Sequence, residues 1–518
     1  MTESVVMNMA SNESIDIVVV GGGGSGLAAA IEAARYGRKV MLLEKNPQLG
    51  GTTICSVGSI TATCTPLQRA KGVQDVPQAH FEDMALFADD RGFLDKDNLE
   101  LRRLLVEHLP DTVQWLMDLG LVFFGTMPEP PHRLPRMHNV LPHARSYVYH
   151  LKKRALELGV DIRLDAPVIR LLRSDERVIG VEVAAGGGQT RHIVARLGVI
   201  LATGDYSSAK EVKAQFMAPE LADIEGINPT STGDGQRMVQ EVGGDIVNGE
   251  IMLGPEIRFV APPCKTFIDN IPPIKPVALA MRWAMDHLPS WLLRPFLMLF
   301  VTTNLAPSHN LFKKGAILIN KEGQRFVNER DNPQYAIPRQ PERIAYILMD
   351  ARVGVQFDAW PNFISTAPGV AYAYLADYRR NRKDISFAAA SLGALAGKLG
   401  IPAAALEQTV AEYNANLPNG ATPIAQAPFH ALGPAKSWIV FTDGGARINS
   451  HFEVLDRSSR PIPGLYAAGS AGQGGVLLEG HGHHLGWAFT SGRLAGQSTA
   501  LGRQAWPEAA IKARRAAA

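Results

Sequence analysis

Residues 15–45 read IDIVVVGGGGSGLAAAIEAARYGRKVMLLEK, and the glycine spacing inside them constrains the fold more than any other part of the chain. Apolar β-formers run from Ile15 to Val20. Leu27, Ala28, Ile31 and Ala34 then share one helical face, and a second apolar run, Val40 to Leu43, ends in Glu44. This is a strand, a helix and a second strand. Gly21, Gly23 and Gly26 satisfy G-x-G-x-x-G within it. The first allows a tight turn, the second lets backbone approach a pyrophosphate, and the third lets helix and strand pack closely. Gly24 and Ser25 open the helix, whose free N–H groups and positive dipole end favour phosphate. Glu44 is placed to accept hydrogen bonds from a ribose. Strand, helix, second strand and acid all fall where a dinucleotide needs them, although the unit alone does not choose between FAD and NAD.

At 518 residues the chain is too long for one core and implies two or three domains, and 46% apolar with 20% charged residues is ordinary for a soluble enzyme. Lysine and arginine number 52 against 50 acidic residues, and no basic run is interleaved with aromatics, so nucleic acid is not an expected partner. Cys55, Cys64 and Cys264 lack C-x-x-C spacing, which argues against a disulfide framework or structural zinc and fits a reducing cytoplasm. The first sixteen residues carry no basic segment followed by an apolar one, and read as a frayed tail rather than a signal. The greasiest stretch, LPSWLLRPFLMLFVTTNLA from Leu288, is broken by Arg294 and Pro295 and falls short of a membrane span.

Four further segments choose the cofactor by resemblance. EKNPQLGGTT, with Lys45, Gly50, Gly51, Thr52 and Thr53, is similar to the loop that follows the ribose acid in flavoproteins of the fumarate reductase and ketosteroid dehydrogenase superfamily. ILATGDY from Ile200, TGDG from Thr232 and IPGLYAAG from Ile462 resemble further motifs of that family. The resemblance implies FAD, held by Gly21, Gly23, Gly24, Ser25, Gly26, Glu44, Lys45, Gly51, Thr52, Thr53, Val168, Ala202, Thr203, Gly204, Asp205, Gly469, His484 and Leu485. GGTTICSVG lacks the histidine to which covalent-flavin relatives attach, so noncovalent FAD is expected.

Because these motifs lie at both ends, the expected fold is α/β. A discontinuous Rossmann-type FAD-binding domain, 1–249 and 434–518, is interrupted by an α+β capping domain over 250–433 that carries substrate specificity. Within the cap, GAILINKEGQRFVNE reads as a hairpin turning at Asn320 to Gly323, and a helix ending at Gly400 precedes one opened by Pro402, with Leu406 and Val410 on its apolar face. The tail from Trp506 reads as a solvated helix end.

LLEGHGHHLG at residues 477–486 places His481, His483 and His484 among glycines. Zinc needs about four ligands at about 2.0 to 2.1 Å, and no neighbouring sequence completes such a set. The resemblance implies instead a loop entering a helix near Gly486, whose N-terminus faces the flavin where negative charge gathers on reduction. Backbone-bonded loop histidines are the plainer alternative.

The resemblance also bears on the substrate. Relatives that hold dicarboxylates use cationic side chains at positions filled here by Pro255, Phe441 and His484, so fumarate or succinate is not expected. The other branch desaturates beside a carbonyl, which requires a donor to the carbonyl oxygen, a base for the α-proton and a hydride acceptor. The resemblance assigns the Gly482 amide as donor, with His481 as a substitute for the absent steroid-enzyme tyrosine, and Tyr335 in RFVNERDNPQY as base. An ordinary tyrosine, with pKa about 10, needs a neighbouring cation to serve as one. Arg330 is that cation or itself delivers the proton; packing under the cap for Tyr335, and a salt bridge to Glu329 for Arg330, are the structural alternatives. His132, Arg133 and Tyr147 are secondary candidates, with anchoring of a helix start the stronger reading. The expected activity is desaturation of a small apolar, cyclic ketone, with electrons passing to an unidentified acceptor. Reduction of an activated C=C bond, and service as a flavoprotein electron-transfer subunit, are the alternatives. Trp291 to Phe300 offers a greasy entrance for something larger.

Overall fold

The computed structural model describes residues 13–262, 270–367, 371–417 and 421–502. The N-terminal tail, Cys264 and the tail from Trp506 lie outside them.

The Glu13–Val20 strand lies inside an eight-stranded sheet. It pairs parallel with Val40–Leu43 on one side and Gln189–Leu201 on the other. Beyond these lie Asp161–Arg163 on one flank and Pro461–Ala467 and Glu453–Leu455 on the other. The central strands end in apolar, buried runs, Ile17–Val20, Val40–Leu43 and Val199–Leu201, as expected of parallel strands covered on both faces. Their carboxyl ends finish together: Gly21 N donates to Leu43 O and Ala202 N to Val20 O, both at 2.8 Å, and Ala468 N donates to Leu201 O at 2.9 Å. Ligands of open parallel sheets bind in the crevice beyond such ends.

The cradle helix, Gly24–Arg35, departs from the one-faced burial that its periodicity predicts, because every residue from Gly24 to Ala33 is buried. The cause is a second helix, His483–Leu501, that crosses it at backbone contact. A methyl added at Gly492 would stand 2.3 Å from Ser25 O, and one at Gly496 2.3 Å from Ala29 O. Small residues on both helices permit the approach.

Residues between the two parts of this sheet build a separate one. Glu256–Phe259, Phe429–Trp438, Ala345–Met349 and Ile317–Ile319 are its path, with Ser386–Ala389 also paired to Phe429–Trp438. Two apolar cores flank it, one around Ile347, Phe357 and Tyr378, the other around Leu348, Leu395 and Leu406. Helix Leu392–Leu399 ends on Gly400 at φ 64°, and Ala403–Ala415 follows Pro402, with Leu406 and Val410 buried. The turn at Asn320 to Gly323 forms, Asn320 N donating to Gln324 O at 2.9 Å, but the expected hairpin does not extend past the Ile319–Arg325 bridge. Arg325 instead turns back onto Glu329, whose Oε1 accepts Leu318 N, and Ile317–Ile319 finds its strand partner in Ala345–Met349.

The stretch from Leu288 becomes the 15-residue helix Ser290–Asn304. Met298 and Val301 face the cap core, while Trp291 is 71% and Phe296 58% exposed. Among the described residues no helix is long and apolar enough to cross a membrane.

Candidate active site

The three glycines of the fingerprint have distinct surroundings. Gly21 has φ 106°, and a methyl there would lie 2.3 Å from Ala202 O; at Gly26 it would lie 1.9 Å from Gly21 O. At Gly23 the nearest atom would be Gly50 O at 3.8 Å, so that side of the backbone stays open to a phosphate. Gly23 is also the N-cap of the cradle helix and supplies no capping side chain, and the first turn carries no acid. Orphan N–H groups at such an end suit an anion.

A cleft opens above them, lined by Gly21, Gly23, Gly24, Ser25, Glu44, Lys45, Gly51, Thr52, Thr53, Val168, Ala202, Thr203, Gly204, Asp205 and His484. Gly26, Gly469 and Leu485 stand behind it. Gly26 packs helix on strand, Gly469 presses on Ser25, and Leu485 is buried in the main core. Glu44 is fixed by Gly22 N, donating to Oε2 at 2.7 Å, and by Asn46 N, donating to Oε1 at 2.9 Å. Lys45 Nζ reaches Asp234 Oδ2 at 2.8 Å, which ties the TGDG turn to the ribose end. Asn228, Thr230 and Ser231 also line the cleft, a contribution that sequence reading missed. Its trace was the stretch NPTS, residues 228–231, just before TGDG. Thr203 Oγ1 is buried without a protein partner, yet Thr203 lines the cleft. An open glycine backbone, a backbone-anchored acid and an unsatisfied hydroxyl fit a flavin dinucleotide.

The closing helix begins at His483, three residues before Gly486, with Gly482 as its N-cap at φ 91°. A left-handed glycine just before the first turn sets that start, and a methyl at Gly482 would lie 2.6 Å from Thr61 N. The three histidines of the loop diverge. His481 is exposed, and both its backbone N and its Nδ1 meet Glu129 Oε1, at 2.9 and 2.5 Å. That contact raises the His481 pKa and commits its Nδ1 to Glu129.

His483 points inward to His80 and His132, so distant residues do bring two more imidazoles to the loop. Their protons can be assigned from their partners. His483 Nδ1 donates to the Glu479 carbonyl, leaving Nε2 as acceptor for His80 Nε2 at 3.0 Å. The fully buried Arg136 donates to His132 Nδ1 at 3.0 Å, which leaves the His132 proton on Nε2. A metal would require that nitrogen bare, and would sit beside a guanidinium; ligating histidines ordinarily donate their outer N–H to an acceptor. The donor set therefore fits a hydrogen-bonded cluster and not a cation. Burial, first of all, lowers all three pKa values, that of His132 to about 3. Arg133 pairs with Asp83 and Glu82 beside this cluster, and Tyr147 is buried with its hydroxyl on Gly58 O at 2.9 Å, so both act as anchors of the fold.

His484 faces the cleft. Its ring centre is 3.7 Å from that of Phe441, and Nε2 lies 3.6 Å from Asp443 Oδ1. Asp443 is buried, and its Oδ1 accepts from Gln473 Nε2 at 2.7 Å. Burial lowers the His484 pKa to about 3 and raises that of Asp443 to about 7. At neutral pH the imidazole is uncharged.

Tyr335 and Arg330 are not brought to this cleft. Tyr335 is 44% exposed at the end of Pro333–Tyr335, which is tied to the cap sheet where Ser437 Oγ donates to Gln334 O at 2.6 Å. Arg330 is exposed, and Glu329, suggested as its ion-pair partner, is engaged by Arg325 at 2.7 Å.

A parallel sheet, a glycine cradle and a cleft shaped for a flavin dinucleotide define an FAD-dependent oxidoreductase. The model of the FAD binding domain family matches residues 16–259 and 289–478, and the chain belongs to that family. It is 28% identical over 484 residues to NADH:fumarate oxidoreductase of Klebsiella pneumoniae (strain 342), covering 89% of this chain and 45% of that protein. The chain thus spans less than half the length of that relative. Among solved structures it resembles the open conformation of a flavocytochrome c3 fumarate reductase, with 26% identity, TM-score 0.71, and coverage of 94% of this chain and 78% of that one. It also resembles 3-ketosteroid-delta4-(5alpha)-dehydrogenase from Rhodococcus jostii RHA1 in complex with 4-androstene-3,17-dione, with 25% identity, TM-score 0.59, and coverage of 96% and 99%. These relatives fall in the superfamily to which the sequence motifs pointed.

Proposed function

We propose that the protein interconverts an uncharged, apolar carbonyl compound, cyclic and cyclohexanone-sized or larger, with its α,β-unsaturated counterpart, and that desaturation is its direction. The observation that carries this reading is the contact of Phe441 with a neutral His484 at the flavin end of the cleft. A diacid stripped of water needs charge-assisted partners, and Phe441 with an uncharged His484 offers none at these two positions.

FAD, held noncovalently by the cradle, Glu44 and Thr203, supplies the two-electron acceptor when bound. The Gly482 amide polarises the carbonyl oxygen, Tyr335 is the base for the α-proton, and Arg330 is the cation that assists it or itself carries the proton. A hydride leaves the β carbon as the C=C bond forms. Residues 250–433 act as a cap that must close to bring Tyr335 over the cleft, which accounts for its exposure here. The exposed face of Ser290–Asn304 serves as the apolar approach.

The fumarate-reducing relatives favour a second reading, in which the same residues run the reaction towards the saturated product. Anaerobic mixing separates the two. Desaturation predicts that a saturated cyclic ketone bleaches the oxidised flavin, and that Tyr335→Phe slows this about 100-fold or more. Reduction predicts that an enone restores the colour of the reduced protein while the ketone does nothing. Recovery of the colour with fumarate alone would overturn both.

A further inference from the structure

Behind the cleft, Asp443 Oδ2 and His484 Nε2 are both buried polar atoms without a hydrogen-bond partner, on residues whose side chains approach to 3.6 Å. Buried polar atoms are almost always satisfied, so two orphans on neighbouring side chains are unusual; the 3.6 Å approach is from His484 Nε2 to the other carboxylate oxygen, Oδ1, which already accepts from Gln473. We propose that Asp443 and His484 form a proton-sharing pair behind the flavin, with the proton on Asp443 while the flavin is oxidised and on His484 once it is reduced.

His484 lines the cleft and Asp443 does not, so moving the proton to the ring moves positive charge towards the flavin. The step is a proton transfer only. The Asp443 Oδ–H bond breaks, the His484 Nε2–H bond forms, and no electron passes through either residue. Negative charge gained by a flavin bound in the cleft would drive it, because His484, in the N-terminal turn of His483–Leu501, lines that cleft.

The surroundings favour the neutral pair at rest. Glu479 and Asp205 repel an ionised Asp443 and Arg91 attracts it, but Arg91 is committed to Glu479. Tyr206 adds a further polar group on this side. Burial first, and then His483, disfavour a charged His484 while Asp443 is neutral. Either residue ionised alone is a bare buried charge, whereas both together make an ion pair. A gap of 3.6 Å is too long for a hydrogen bond, but such contacts often tighten only in the loaded site.

The inference requires bound FAD and is independent of the ketone. The test therefore uses the FAD-loaded protein reduced with dithionite, so that failure of the ketone reading leaves it intact. The reduced-minus-oxidised infrared spectrum should lose a protonated-carboxyl stretch that moves when aspartate is labelled with heavy carbon, and should gain an imidazolium band. Both changes should vanish in His484→Gln. The flavin of His484→Gln and of Asp443→Asn should be harder to reduce by about tenfold in equilibrium constant, ~30 mV for a two-electron couple. A wild-type spectrum without carboxyl loss overturns the inference even if neither variant folds, and so does a midpoint potential unchanged in both variants.

Discussion

His80 Nε2 and His483 Nε2 lie 3.0 Å apart, joining residues 403 positions distant in the chain beneath the first turn of the closing helix. Both rings, with His132, are buried and have lowered pKa values, so the folded protein binds fewer protons there than the unfolded chain does. Their contribution to stability is fully present above the unfolded histidine value of about 6.5 and is lost as pH falls, for His132 down to about 3. Urea unfolding between pH 7.5 and pH 4.5 should show His132→Gln losing less stability over that range than wild type, by up to about 1.4 kcal/mol per pH unit. Equal slopes would mean that His132 titrates normally.

Two glycines three residues apart should fail in different ways. Gly26→Ala drives a methyl into Gly21 O and should cost about 3 kcal/mol of stability or prevent folding. Gly23→Ala, at φ −75° with open space around it, should melt near wild type yet bind FAD about 10- to 100-fold more weakly. Thermal unfolding of the apoprotein and flavin titration together check the contrast.

Glu44→Gln removes the charge that Gly22 N meets at 2.7 Å. A hydrogen bond to a charged group contributes about 1.5–3 kcal/mol, so FAD affinity should drop at least tenfold, read as flavin lost during gel filtration.

Asp443→Asn should alter the pH dependence of apoprotein stability in the opposite sense to His132→Gln. The raised Asp443 pKa means that the folded state holds a proton which the unfolded chain releases near 3.9. Stability from this residue is present below that value and lost as pH rises through about 7. The variant should lack that decline between about pH 4 and pH 7, measured by the same unfolding series.

The cradle was legible because its glycine roles are steric and local: Gly21, Gly23 and Gly26 each answer to atoms within a few residues or on the adjoining strand. Glu44, Lys45 and the ATG turn reach the cleft for the same reason, each standing at the carboxyl end of a parallel strand. The start of the closing helix was misplaced by three residues because its signal is the left-handed conformation of Gly482, which a glycine-rich loop does not advertise. The hairpin after Asn320 was overread because Phe326 and Val327 look strand-like, whereas the Arg325–Glu329 pair bends that arm away. The meeting of His80 with His483, and of Asp443 with His484, left no trace in spacing, since each joins segments that only tertiary packing brings together.

The backbone contact of Gly492 and Gly496 with the cradle helix has a consequence for biosynthesis. The flavin-facing helix, which forms from the first forty residues, has one flank that nothing covers until the last turns of the closing helix have left the ribosome. Nascent chains stalled before residue 490 should therefore expose that flank to chaperones and remain colourless, so bound flavin should appear only after His483–Leu501 has been made.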